Sequence, residues 1–152
     1  MTKLLLSVHV LAAILAVGSI TVAASMFPRY ALQALDGRSE RAVGVAALLH
    51  RVCRGYAVAG LAVPVFGIAT AAQLGVLGDA WLIASLILTA LAAGLLATAI
   101  LPGQRRLLAV DGEPGAARAT AARLTMLTGV FNLLWATVTV LMIVRPGSTT
   151  GV

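Results

Sequence analysis

Charge is what this chain has least of. Only 11% of its 152 residues are Asp, Glu, Lys or Arg, against 61% that are hydrophobic, whereas a soluble domain carries about 25% charged residues. Too few polar side chains are present to coat a water-facing surface, so an ordinary soluble domain is excluded and the exterior must be solvated by lipid. The five acidic residues fall in loops or at interfaces, and GxSxG, HExxH, P-loop, GxGxxG and paired CxxC motifs are all missing. Hydrolytic and nucleotide-dependent catalysis are thereby left without support. The alternation expected of membrane barrel strands is missing too, replaced by continuous runs of Leu, Ala, Val and Ile.

What is present is four charge-free stretches, Leu4 to Pro28, Gly55 to Gly78, Ala80 to Gln104 and Leu124 to Val144. Each reaches the ~20 residues that a helix needs to cross the hydrocarbon core. Lipid offers the backbone no hydrogen-bond partner, so helix is the expected conformation. The sequence therefore predicts an all-α integral membrane four-helix bundle over residues 1–145, with helices at about 4–27, 54–73, 81–101 and 124–144. A short polar tail, 146–152, is expected to be disordered. Lys3, an apolar run and Val22-Ala23-Ala24 imitate a signal peptide, but the run exceeds the ~7–15 residues of a signal's apolar region. It is taken as the first helix.

Nine arginines lie between helices 1 and 2 or between helices 3 and 4, whereas only Lys3 and Arg145 sit at the opposite ends. Basic residues favour the cytoplasmic side, so both termini are predicted outside. The isoelectric point of about 11.1 then reflects arginines beside anionic headgroups. No nucleic-acid partner is needed, and no helix, finger or RNP-type motif suggests one.

Helices in lipid associate through small residues and a few polar contacts. Ala12, Ala16, Ser19 and Ala23 form such a stripe on helix 1, and Thr125, Gly129, Asn132, Ala136 and Thr139 form one on helix 4. Pro64 is expected to kink helix 2, because it lacks an N–H and crowds the Gly60 carbonyl. Met26-Phe27-Pro28 leading to Leu35-Asp36-Gly37 is matched, at an offset of 74, by Ile100-Leu101-Pro102 leading to Val110-Asp111-Gly112. Such spacing suggests two duplicated helical hairpins; independent helix ends built from Pro, Asp and Gly are the alternative.

The residues able to carry chemistry are few. His9 shares a face with Ala12 and Ala16, so its imidazole should point into the bundle, and ionisable groups within a span are functional candidates; a neutral histidine hydrogen-bonded to a neighbouring helix is the alternative. Met142 is the sulfur at comparable depth. His50 and Cys53, three apart, share a helix face at the arginine end, with Met26 and Met126 expected nearby. Imidazole and soft sulfur suit Cu(I), although Arg51 and Arg54 repel a cation. Trp81 fits an interfacial aromatic belt, and Trp135 is expected to pack or to face lipid.

The segment Ser7-Val8-His9-Val10-Leu11-Ala12-Ala13, followed by Gly18, resembles the first helix of a family of uncharacterised four-helix integral membrane proteins of high-GC bacteria, a domain of unknown function. The likeness runs on through Leu49-His50-Arg51-Val52-Cys53-Arg54 and Gly60-Leu61-Ala62-Val63-Pro64-Val65-Phe66-Gly67. The His-Val-Leu-Ala-Ala pattern is also similar to the copper-resistance D and HemJ-type membrane haem proteins, in which a first-helix histidine is a ligand. That resemblance implies His9 as a ligand and carries over no other position. The chain is expected to be a multi-pass protein of the bacterial inner (plasma) membrane; its residues by themselves predict no cofactor, and the resemblance opens haem b or copper as the candidates. His9 and His50 differ in depth by roughly 20–25 Å at 1.5 Å per residue, so they cannot share one iron; His9 with Met142, or histidines of two protomers, remain.

The sequence is read first as a non-catalytic membrane subunit or scaffold, its partners being the lipid bilayer and a homo-oligomer or larger membrane complex. A haem- or copper-handling redox protein using His9 is the alternative. A small-solute transporter, resting on Pro64, Asn132 and the repeat, is the third reading.

Overall fold

A computed structural model of the chain describes residues 2–37, 39–109 and 114–147. Among these there is no strand, and four helical rods are each long and apolar enough to cross a membrane. The first rod is α1 (Thr2–Gly37); the second is α2 (Glu40–Ala59) followed by α3 (Ala62–Leu74). The third joins α4 (Ala80–Leu95), a π-helical turn (Leu96–Ile100) and α5 (Leu101–Leu108), and the fourth is α6 (Pro114–Val144).

The rods overshoot the spans expected from hydropathy. The 36 residues of α1 measure about 54 Å at 1.5 Å each, against a hydrocarbon core of ~30 Å. Pro28 does not end α1 but sits buried inside it, where its cost is one missing hydrogen bond. Pro102 likewise lies within the third rod. The π turn just before it widens the helix where the proline ring would crowd the Thr98 carbonyl.

The break in the second rod has a local cause. Pro64 cannot donate to Gly60, whose carbonyl instead accepts from the Val63 N–H at 3.0 Å, so the chain turns tightly at Gly60 and Leu61 before α3 resumes. The α2 N-terminus is capped by Ser39, whose hydroxyl accepts from the Ala42 N–H at 3.4 Å. Gly75, in the left-handed region at φ 70°, ends α3. The second copy of the repeat, Val110-Asp111-Gly112, and the tail from Ser148 onward lie outside the described residues.

α1 packs against α2, α3 and α6, while α6 packs against α4 and α2 against α5. The seam between the first two rods advances by seven residues in opposite directions. His9 lies over Gly67, Ala16 beside Gly60, and Ala23 in one cluster with Cys53. Small residues at the crossing let the backbones approach closely.

On α6 the packed face is not the expected one. Gly129 and Ala136 are exposed, and the buried face runs through Ala117, Ala121, Leu124, Thr128, Phe131 and Val138. Nothing lies within 4 Å of where a Gly129 Cβ would stand. Two adjacent stripes of α6 carry the same four-and-three spacing, and the bulk of Leu124 and Phe131 fills the bundle better than glycine does. On α1, Ala16 and Ala23 are buried and Ala12 and Ser19 half-buried; Asn132 is half-buried.

Candidate functional site

At the arginine end α2 meets α5, but at the end where the termini lie α3 makes little contact with α4. The break at Gly60 and Leu61 precedes this divergence. A cavity of about 850 Å³ opens there, walled by α1, α3, α4 and α6, within the 300–1,000 Å³ typical of ligand pockets. Its walls are almost wholly aliphatic and aromatic, with Val10, Ile14, Leu82, Leu86 and Trp135 among them.

His9 is its principal polar group. The side chain is 8% exposed, and its Nδ1 lies 2.8 Å from the Val63 carbonyl oxygen. A carbonyl only accepts, so Nδ1 carries a proton, and in that tautomer the lone pair of the imidazole lies on Nε2. Gly67 is the seat of the ring: a Cβ there would stand 2.9 Å from Cε1 and 3.1 Å from Nδ1. The imidazole is thus held by a backbone hydrogen bond on one edge and a glycine against its side. This is the pattern by which proteins set the tautomer and orientation of a ligand histidine.

Met142, from α6, lines the same cavity. Arg145 and Trp81 line it as well. Arg145 takes the left-handed conformation, φ 46°, at the end of α6; its Nε donates to the Met142 carbonyl at 3.2 Å and its guanidinium lies 5.5 Å from the centre of the Trp81 ring. Trp81 does not belong to an exposed aromatic belt. It is buried, and its indole N–H donates to Asp79 Oδ2 at 2.9 Å.

The second histidine is placed apart from the first. His50 Nδ1 lies 2.9 Å from Gln104 Oε1, and Gln104 Nε2 donates to Cys53 Sγ at 3.5 Å. All three side chains are buried. Gln104 thus bridges the two residues expected to hold metal, its Oε1 accepting from His50 and its Nε2 donating to Cys53, while Met26 and Met126 are 41% and 62% exposed. Gln104 does not stand out in the sequence; its only signal is to be the sole amide closing a charge-free span at the depth of His50.

Three polar atoms on α6 are buried without a hydrogen-bond partner: Thr128 Oγ1, Asn132 Oδ1 and Trp135 Nε1. Among the described residues no three His, Cys, Asp or Glu side chains gather as a metal site. No family model, curated protein or solved structure matches the chain.

Proposed function

We propose that this is a multi-pass membrane protein whose cavity, walled by α1, α3, α4 and α6, would hold haem b with His9 as a ligand to its iron. The observation that carries the reading is the His9 ring itself, whose Nδ1 proton is committed to the Val63 carbonyl while the lone pair lies on Nε2 among apolar walls. A bare copper ion would need more donors than His9 and Met142. Volume and lining suit a large, flat, apolar group. Arg145 in the lining would supply a cation for its carboxylates, and Met142 a soft donor. Bound there, haem would supply one-electron redox chemistry; the protein would orient it and exclude water. The arginine end is assigned to the cytoplasm, which puts the cavity and both termini on the outer side.

The test is the optical spectrum and metal content of protein purified in detergent after expression with haem supplied. Wild type is expected to show a Soret band with about one iron per chain or per pair, and His9→Ala to lose it. Met142→Leu should leave haem bound with shifted bands. A colourless wild type that takes up no added haem overturns the proposal, and copper at stoichiometric level would replace it by the copper reading.

A further inference from the structure

The three unpartnered polar atoms of α6 share one face. Thr128, Asn132 and Trp135 are spaced four and three apart, and the same face continues through Thr139 and Met142 into the cavity, which Trp135 also lines. Thr128 is 2% exposed. Its hydroxyl is not spent on its own helix, unlike those of Thr120, Thr125, Thr137 and Thr139, each of which donates to the carbonyl four residues before it. A hydroxyl, an amide oxygen and an indole N–H left unpaired in an apolar bundle are each costly, and such groups in folded proteins are satisfied by buried water when nothing else reaches them.

We infer that the cavity continues inward as a narrow, water-filled inlet along this face, ending at Thr128. Water suits the set because it both donates and accepts. One molecule accepts from Trp135 Nε1 and donates to Asn132 Oδ1; a second joins Asn132 Oδ1 to Thr128 Oγ1, each step spanning about one helical turn of 5.4 Å. The inlet closes one turn further in, where Leu124 is buried against Gly103; a Cβ on Gly103 would stand 2.7 Å from Leu124 Cδ2. That contact sets the register of α6 against the third rod, and it puts Thr128 level with the π turn at Leu96–Ile100. π turns within α-helices are frequent at functional sites. The inlet brings water, and with it protons, from one face of the membrane to the middle of the bundle. This holds whatever His9 binds.

Cysteine accessibility tests it. In a Cys53→Ser background reconstituted in liposomes, Thr128→Cys and Asn132→Cys should react with aminoethyl methanethiosulfonate about tenfold faster than Leu133→Cys and Val130→Cys on the exposed face, since the reagent attacks a thiolate, which needs water. Rates no faster than those controls overturn the inlet. Where the cysteine variants fail to fold, Trp81→Phe leaves Trp135 as the only tryptophan of the two in the chain. In haem-free protein its fluorescence lifetime should lengthen in D₂O, and Asn132→Leu should abolish that sensitivity. A lifetime indifferent to D₂O overturns the inlet equally.

Discussion

At the scale of single residues, the site depends on one glycine as much as on its histidine. Gly67→Ala puts a Cβ 2.9 Å from the His9 ring, and the ring has no flexible end that can yield. Overpacking of this kind costs about 1–3 kcal/mol, so the variant should melt lower in detergent and bind haem weakly. Gly129→Ala, in open space, is the control and should melt no lower than wild type. Gln104→Leu leaves His50 Nδ1 buried without its partner, a loss of about 1–3 kcal/mol that a lowered melting midpoint would report; an unchanged midpoint would mean that His50 finds another acceptor. His9 was legible in the sequence, because an imidazole within an apolar run is conspicuous. Gly67, Val63 and Gln104 were not, since each matters through a partner more than fifty residues away.

At the scale of elements, Pro64 decides whether there is a cavity. Restoring the N–H with Pro64→Ala lets Gly60 accept from residue 64 in the regular way and joins α2 to α3. The rod should then straighten, raising the melting midpoint while weakening haem binding about tenfold; higher stability with undiminished binding would show that the break does not shape the site. The kink could be anticipated from Pro64 alone. The overshoot of α1 through Pro28 could not, because a proline ends a helix or sits within one according to whether neighbouring helices pack around it. The rotation of α6 was hidden for a similar reason. Alanine, glycine and leucine are all compatible with lipid, so hydropathy does not say which stripe faces inward.

At the scale of the whole molecule, the arginines of that end among the described residues are exposed, and the ion pair between Arg118 and Asp36 is 3.6 Å long with both side chains more than half exposed. Asp36→Ala should therefore change stability by no more than about 0.5 kcal/mol, as measured by thermal melting. In the proposed topology the arginines act through orientation instead. Alkaline phosphatase fused after Gly147 should be active in bacterial cells and inactive when fused after Glu40; the reverse pattern would invert the assigned topology. Four helical rods of membrane-crossing length follow from the amino-acid order, because lipid compels every apolar stretch of that length to satisfy its own backbone. The meeting of His9 with Val63 and Gly67, the gap between α3 and α4, and the inward turn of Thr128 and Asn132 arise only when the rods pack. Those features depend on rotation and register, which are set by how side-chain volumes interlock between segments distant in the chain, and a one-dimensional pattern of apolar residues carries no record of that.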